Sequence, residues 1–224
     1  MPNFDIVKTN KPKLTFRVSK IQSDFDVKFE HSNERFTGNI ELPENWQIGV
    51  IVGASGTGKT TIAKEIFSDC YVKQFEYKSD SVVDDMPDVD MKTIERMFYA
   101  VGFGSVPSWL KPYAVLSNGE KMRVDLARAL LQSEKVRFDE FTSVVDRNVA
   151  QTMCIATRKA INRTNKQFVA VTCHFDVIDW IEPDWVFNTD TMKMVFPTAH
   201  GNEKNMLSKD VGVKNGKNLG VIII

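Results

Sequence analysis

Long hydrophobic runs are absent from this 224-residue sequence, and cysteine and histidine are scarce. The longest apolar stretches, such as residues 48–54, are far shorter than the roughly 20 residues that span a bilayer, so we expect no direct membrane insertion. The first residues also lack the apolar core of a signal peptide. The three cysteines are too far apart for a disulfide framework or a zinc knuckle, which indicates a reducing, cytoplasmic location.

The charge balance gives no support to a polyanion as the main partner. The chain has 29 Lys and Arg residues against 29 Asp and Glu residues, so its formal net charge is zero. A protein of this balance has no long-range positive field, although a local basic patch would be compatible with it. Nucleic-acid binding is therefore possible but unsupported.

Hydrophobic residues are arranged in short segments that alternate between strand and helix patterns. They make up 42% of the chain, which is typical of a globular domain with a buried core. A small β layer is predicted first, with strands at 14–18, 27–29 and 37–42. Beyond it, apolar strands alternate with helical spacing, which predicts an α/β fold whose mainly parallel sheet is covered by helices.

The same pattern divides the chain into one domain and a tail. We expect a domain at 1–198 that contains a short helical subdomain at about 88–132, where helical spacing dominates. From residue 199 onward Gly, Asn, Lys and Ser become frequent. Residues 199–224 are therefore predicted to be a flexible polar tail.

Residues 53–60, Gly-Ala-Ser-Gly-Thr-Gly-Lys-Thr, are the strongest functional pattern in the chain. They match the phosphate-loop spacing and lie between a predicted strand and a predicted helix, as that motif requires. Glycines let backbone N–H groups surround phosphates, Lys59 would bridge the β- and γ-phosphates, and Thr60 would bind Mg²⁺. The expected nucleotide-binding residues here are Gly53, Ser55, Gly56, Thr57, Gly58, Lys59, Thr60 and Thr61.

Two acidic residues, Asp139 and Glu140, follow a short apolar strand predicted at 136–138. Adjacent carboxylates at a strand end can divide two roles, one binding Mg²⁺ and the other directing a water molecule. By itself such a pair also fits a solvated loop. In the company of a phosphate loop, Asp139 becomes the candidate metal ligand and Glu140 the candidate catalytic base.

Two further motifs lie at the ends of predicted elements. Ser117, Asn118 and Gly119 open a helix, where backbone N–H groups would bind an anion, although the same residues also fit an ordinary helix cap. His174 follows an apolar strand predicted at 168–171. A histidine there can contact a phosphate or make a structural hydrogen bond.

Taken in order, four segments resemble the Walker A, signature, Walker B with D-loop, and H-loop motifs of ATP-binding-cassette (ABC) ATPases. They read GASGTGKT, LSNGE, FDEFTSVVD and VTCH. The resemblance covers roughly residues 14–196. It implies a P-loop NTPase fold of ABC type, with an N-terminal antiparallel β layer, and it implies ATP hydrolysis with Mg²⁺ as cofactor.

The resemblance also implies roles for individual residues and a head-to-tail homodimer that forms on ATP binding. Lys59 and Thr60 would bind phosphate and Mg²⁺, while Asp139 supports the metal and Glu140 activates water. Ser117 and its neighbours Asn118 and Gly119 would contact the γ-phosphate held by the second subunit. The remaining implied roles are a D-loop residue, Asp146, and a γ-phosphate sensor, His174.

The signature departs from the common form of the family, because Asn118 and Glu120 stand where Gly and Gln are usual. Asn tolerates left-handed backbone, so the turn can survive, but Glu120 adds negative charge near a phosphate. We therefore expect slow turnover. About 58 residues separate Lys59 from Ser117, a shorter spacing than we expect for a transporter subunit.

Two family features have no clear match. No Q-loop glutamine is evident, and Asp84 or Asp85 is the best substitute, although a solvated acidic loop explains them equally well. Phe29 is the first choice for stacking on adenine and Phe25 the second, while core packing would explain either. Arg137 is also unusual, since a buried parallel strand would prefer an apolar residue at that position.

Several functions fit these patterns. The amino-acid sequences of the motifs look most like those of soluble ABC ATPases fused to a predicted acetyltransferase domain. Such a protein would couple ATP hydrolysis to an unidentified protein partner or domain. The alternatives are the nucleotide-binding subunit of a membrane transporter, a DNA-maintenance ATPase, and a nucleotide-dependent binding switch. The missing Q-loop glutamine counts against the transporter, and the absence of net basic charge counts against the DNA enzyme.

Overall fold

The computed structural model describes residues 3–10, 13–27, 32–70 and 75–197. The strands are β1 (Asn3–Asn10), β2 (Ser32–Asn39), β3 (Ile48–Val52), β4 (Lys135–Phe138), β5 (Gln167–Thr172), β6 (Trp185–Asn188) and β7 (Lys193–Val195). The helices are α1 (Phe16–Asp24), α2 (Lys59–Ile66), α3 (Met91–Ala100), α4 (Val106–Trp109), α5 (Asn118–Gln132), α6 (Arg147–Asn162) and α7 (Asp176–Ile181). The α/β fold class predicted from the sequence is confirmed.

The main sheet has five strands in the order β4-β5-β3-β6-β7. β3 lies at the centre and pairs in parallel with β5 on one side and β6 on the other, while β7 joins the edge antiparallel to β6. β3 is buried along its whole length, as expected for a parallel strand covered on both faces. The carboxyl ends of the parallel strands therefore meet at one edge of the sheet.

Helices and a second sheet cover the two faces of the main sheet. Alternate side chains of β3 point to opposite faces, so Val50 packs in one core and Ile51 in the other. The first core is completed by residues of α3, α5 and α6, and the second by residues of α2, β1 and β2. Within the described residues, no helix is both long enough and apolar enough to cross a bilayer.

The second core depends on a close approach between strands at Gly49. The indole of the fully buried Trp185 occupies the space that a Cβ atom at Gly49 would need, at 2.0 Å from its Cζ2 atom. Phe67 stacks on the same indole, with ring centroids 5.8 Å apart. A side chain at position 49 would therefore displace the largest residue of this core.

The N-terminal sheet differs from its predicted form. It consists of two antiparallel strands, β1 and β2, so its antiparallel character is confirmed. The predicted strand at 14–18 is wrong, because that segment leads into α1, whose N-cap Thr15 accepts a hydrogen bond from Val18 N–H. β2 also ends at Asn39 and not at residue 42, and the predicted strand at 27–29 lies largely outside the described residues.

The mistake at α1 has a physical reason. Residues 14–18 are rich in β-branched and aromatic types, which predicts a strand, but Leu14, Val18, Ile21 and Phe25 lie at helical spacing over a longer segment. None of the residues of α1 is buried, so the helix has little tertiary packing to reveal it. The alternation of polar and apolar residues over β1, at the start of the chain, was the overlooked strand signal.

Candidate functional site

The phosphate loop lies at the carboxyl edge of the main sheet, where β3 ends and α2 begins. Gly56 and Gly58 both have left-handed backbone, with φ values of 86° and 85°. Residues with side chains rarely adopt these angles, so the glycines allow a loop whose N–H groups can turn inward. Ser55 and Gly56 are exposed, while Thr61 lies in the first turn of α2 and is partly buried.

Lys59 is the first residue of α2 and is largely buried. Its Nζ atom donates a hydrogen bond to the Ala54 carbonyl at 2.7 Å, across the mouth of the loop. An ammonium group held over a ring of backbone groups is suited to receive an anion, because a charged hydrogen bond to phosphate is stronger than one to a neutral carbonyl. The structure thus places the predicted phosphate-binding lysine at the mouth of the loop.

Thr60 and Asp139 come from distant parts of the sequence and meet at this edge. The Thr60 hydroxyl donates to Asp139 Oδ1 at 3.2 Å, and the same carboxylate oxygen accepts from Glu140 N–H at 3.0 Å. A hydroxyl and a carboxylate in contact are oxygen ligands of the kind that Mg²⁺ takes beside nucleotide phosphates. The sequence predicted this pair, and the fold brings it together.

Glu140 follows in a strained backbone conformation. Its φ is 52°, in the left-handed region that residues with side chains seldom adopt, and Thr142 nearby has a φ of 66°. Such strain is typical of functional turns. The exposed Glu140 side chain lines a cleft of about 340 Å³ whose other wall is the beginning of α5.

His174 reaches the same edge from the neighbouring strand. It lies two residues beyond β5, which pairs with both β3 and β4, and its backbone N–H donates to the Thr172 hydroxyl at 3.2 Å. The residue is partly buried. It therefore joins the phosphate loop and the acidic pair at one edge of the sheet.

The signature segment, residues 116–120, is built differently. Ser117 caps α5 by accepting from Glu120 N–H at 3.3 Å, and the Glu120 carboxylate accepts from Ser117 N–H at 2.9 Å in return. Glu120 also accepts from the buried Ser108 hydroxyl at 2.8 Å. The hydrogen bond from the Ser117 N–H is the main cause of a lowered pKa at Glu120, and the bond from Ser108 is the second. The charged carboxylate of Glu120 is therefore stabilised by donors within the cap. Ser117 and Asn118 are exposed, and Gly119 is partly buried in the first turn.

The other predicted residues have local roles in the structure. Asp146 caps α6 by accepting from two backbone N–H groups. Asp85 accepts from Ser79 and Lys78 N–H, and Asp84 accepts from the Ser81 hydroxyl, so both organise their own loop. Phe25 is 69% exposed, and Phe29 lies outside the described residues. Arg137 is fully buried, although its strand favours apolar residues.

Two residues after β6 support the phosphate loop, and sequence reasoning missed them. Asp190 accepts from Ala54 N–H at 2.9 Å, and Thr189 shares a hydrogen bond of 2.6 Å with the Thr57 hydroxyl. Thr189 also fills the space beside Gly53, where a Cβ atom would lie 2.2 Å from its Oγ1 atom. The sequence feature that could have indicated Thr189 and Asp190 is their position directly after a strand. That position becomes informative only when the strand is known to pair with β3.

Residues 50–116 match the ATPase family associated with various cellular activities (AAA). The match covers less than a third of the chain and contains the phosphate loop. No curated protein matches the chain.

Solved structures share the fold at low sequence identity. A bacterial Atm1-family ABC exporter with ATP bound aligns over 73% of this chain and 35% of its own, with a TM-score of 0.54 and 18% identity. The dimeric bacterial ABC transporter cassette MJ0796 aligns over 69% of this chain and 87% of its own, with a TM-score of 0.54 and 16% identity. The post-hydrolysis dimer of the same cassette, bound to ADP and Pi, aligns over 71% of this chain and 89% of its own, with a TM-score of 0.55 and 16% identity.

The chain therefore spans about a third of the exporter and most of the isolated cassette. The fold is that of a P-loop NTPase, and the family match and the fold agree in describing an ATPase domain.

Proposed function

We propose that the chain is an ABC-type ATPase that hydrolyses Mg-ATP at the interface of a head-to-tail homodimer. The observation that carries the proposal is the contact of Thr60 with Asp139, with Glu140 next in sequence. This contact joins a phosphate loop to an acidic strand end, so the metal, the γ-phosphate and the attacking water would share one small volume.

The carboxyl edge of the main sheet that carries residues 53–60, Asp139, Glu140 and His174 is called the nucleotide edge below. Its residues would have different roles. Lys59 would exchange its bond to the Ala54 carbonyl for bonds to the β- and γ-phosphates. Thr60 and Asp139 would hold Mg²⁺, which neutralises charge that develops on the phosphates. Glu140 would take a proton from the water, and His174 would contact the γ-phosphate from the neighbouring strand.

Dimerisation is proposed because Ser117 and Asn118 of the signature segment are exposed. They lie at the N-terminus of a 15-residue helix, where the helix dipole and first-turn N–H groups favour an anion. In a head-to-tail dimer they would complete the second subunit's nucleotide site. The names of the solved neighbours describe a dimeric cassette, which supports this arrangement.

The rest of the assignment is also a proposal. We place the ATPase domain at 1–198, with its helical subdomain at about 88–132. The polar tail predicted at 199–224 lies outside the described residues. A cytoplasmic location fits the three free cysteines, Cys70, Cys154 and Cys173. The coupled partner would be a protein or domain of the kind found in acetyltransferase-fused ABC ATPases.

A second candidate is the nucleotide-binding subunit of a transporter. It is favoured by the neighbours, which are an exporter and a transporter cassette. Affinity capture of the chain with ATP and with ADP distinguishes the two. Membrane subunits bound in one nucleotide state would select the transporter, and a soluble protein would select the first proposal.

The proposal is tested by Glu140→Gln, with ATP turnover and molecular mass measured together. Glutamine keeps the size of the side chain but cannot accept a proton, so hydrolysis should fall by about 10² to 10⁴-fold while ATP still binds. The protein should then accumulate as a dimer in ATP. The matched control is Glu134→Gln, which alters an exposed glutamate just before the opposite end of the same strand and should leave turnover unchanged. Wild-type turnover in Glu140→Gln would show that the base lies elsewhere.

A further inference from the structure

Asp125 joins two tyrosines that lie far apart in the sequence. The Tyr77 hydroxyl donates to its Oδ1 atom at 2.7 Å, and the Tyr113 hydroxyl donates to its Oδ2 atom at 2.8 Å. The two phenol rings stack in parallel, with centroids 3.9 Å apart. These three residues, called the tyrosine clasp below, use both carboxylate oxygens of one side chain.

The clasp is reinforced from the next turn of α5. The Arg128 guanidinium lies 4.9 Å from the ring centroids of both Phe75 and Tyr77, and it donates to the Glu76 carbonyl at 2.9 Å. Cation–π contacts and a backbone hydrogen bond therefore fix residues 75–77 against α5. The segment is held along its length and not at a single point.

The environment of Asp125 makes both phenol bonds important. Burial raises the pKa of its carboxyl group, and the hydrogen bonds from Tyr77 and Tyr113 oppose that shift. Burial also raises the pKa of both phenols, so they remain donors at neutral pH. A largely buried carboxylate is costly without such donors, so the geometry of the clasp is strongly determined.

The position of the clasp connects two functional parts of the chain. Asp125 lies about two turns beyond Ser117 on α5, and Tyr113 lies in the 3₁₀ turn that leads directly into the signature segment. Tyr113 and Asp125 also line the cleft of about 340 Å³ whose opposite wall carries Asp139 and Glu140. One network thus touches the helix that presents Ser117 and the space beside the acidic pair.

We propose that Asp125, Tyr77 and Tyr113 are positioning residues that fix the orientation of α5, so that Ser117 meets the nucleotide of the second subunit. This proposal rests on the proposed function, because it requires the signature segment to contact nucleotide in a site shared by two subunits. The capping box at Glu120 sets the first turn of α5, and the clasp sets how the whole helix lies against residues 75–77 and 113–115.

The test uses Tyr77→Phe and Tyr113→Phe, which remove one hydroxyl each and keep the stacked ring. Each should lower kcat about 5- to 20-fold at saturating ATP, because only part of the roughly 10- to 150-fold value of a hydrogen bond to a charged group would reach Ser117. KM and the ATP affinity of the monomer should stay within about twofold, because the phosphate loop is untouched. Tyr99→Phe, at an exposed tyrosine on α3 outside the clasp, should behave as wild type.

A second measurement separates positioning from general stabilisation. If the clasp acts through Ser117, then adding Tyr113→Phe to Ser117→Ala should cause no further loss of kcat, because effects on one shared interaction are not additive. The same fold-loss in both backgrounds, or wild-type kcat in both tyrosine variants, would overturn the positioning role while leaving the ATPase intact. A wild-type chain that neither hydrolyses ATP nor dimerises would instead overturn the proposed function, and the positioning role with it.

Discussion

The nucleotide edge, made of residues 53–60, Asp139, Glu140 and His174, and the signature segment are the two proposed anion-binding regions, and they are built in opposite ways. At the nucleotide edge, residues 53–60, Asp139 and His174 come from three strands and meet at one side of the sheet. In the signature segment, Ser117 and Glu120 bond mainly to each other and to Ser108, and the outer surface is exposed. Under the proposed function, the first region would take its ligating groups from within the chain, whereas the second would meet the nucleotide of another subunit.

In the proposed dimer, each chain would supply most of one nucleotide site and would complete the site of the other subunit. The nucleotide edge contains left-handed glycines and a strained Glu140. No residue of the signature segment has left-handed backbone, and its cap is made by hydrogen bonds of the Ser117 and Glu120 N–H groups. Substitutions in the two regions should therefore have separable effects on ATP binding and on assembly.

The largest expected effect is loss of ATP binding in Lys59→Ala. The change removes the ammonium group held over the loop, so affinity should fall by about 10- to 150-fold, the value of a strong charged hydrogen bond. Isothermal titration measures it directly. Lys64→Ala, at an exposed lysine on the same helix, should bind ATP as the wild type does. Equal affinity in Lys59→Ala would remove this loop from the binding site.

The complementary change is Ser117→Arg, which should abolish ATP-dependent dimerisation and leave monomeric ATP affinity within about twofold. An arginine places bulk and charge where the second subunit's γ-phosphate would lie, while the phosphate loop of the same chain is unaltered. Light scattering in ATP gives the mass.

Two controls isolate the cause. Ser117→Ala loses the cap, at about 0.5–2 kcal/mol, without the added bulk. Ser133→Arg makes the same change at the far end of α5. A Ser117→Arg protein that still dimerises would show that the signature segment is not at the interface.

A smaller effect is expected at Gly58, where the nucleotide edge meets the N-terminal sheet. Alanine there would adopt a φ of 85° and place its Cβ atom 2.5 Å from the Phe36 ring. Gly58→Ala should lower the free energy of unfolding by about 1–3 kcal/mol through strain and overpacking. Gly56→Ala has nearly the same φ and nothing within 4 Å of the added atom, so it isolates the strain. Equal losses in urea unfolding would exclude the clash with Phe36.

The smallest effect concerns the charge of Glu120. Its pKa is lowered below the ordinary value of 4.5, so its contribution to stability is present above that value and is lost as pH falls through the lowered pKa. Glu120→Gln should therefore be less stable than wild type by under about 1 kcal/mol at pH 7. In thermal unfolding the difference should shrink as the pH falls below 4.5 and disappear once the pH is below the lowered pKa. A gap that widens in acid would contradict the charged cap, and Glu95→Gln on α3 serves as the control.

Motifs whose chemistry is local could be predicted from the sequence. The glycines, Lys59 and Thr60 act through a loop of eight residues between one strand and one helix, so spacing alone located them. The meeting of Thr60 with Asp139 was also predictable, because carboxyl ends of parallel strands share an edge. The capping box at Ser117 and Glu120 needed no more than their three-residue spacing.

Contacts that depend on strand order could not be predicted. Thr189 and Asp190 support the phosphate loop because β6 is the neighbour of β3, and nothing in the local sequence of β6 specifies that pairing. The tyrosine clasp joins position 77 to 125 through side chains in loops and a helix. α1 was missed for a different reason. Its apolar residues are few and none of its residues is buried, so over a short window the segment also fits a strand.

The central place of β3 also decides how the chain must fold. β3 begins at residue 48, but its partners β5 and β6 begin only at residues 167 and 185, so neither edge can pair until most of the described chain exists. Long-range parallel pairing of this kind is slow, because loop closure precedes any gain from contact. An apolar strand with two open edges is meanwhile a site for aggregation. The strand that leads directly into the phosphate loop therefore depends for its pairing on residues that are made much later.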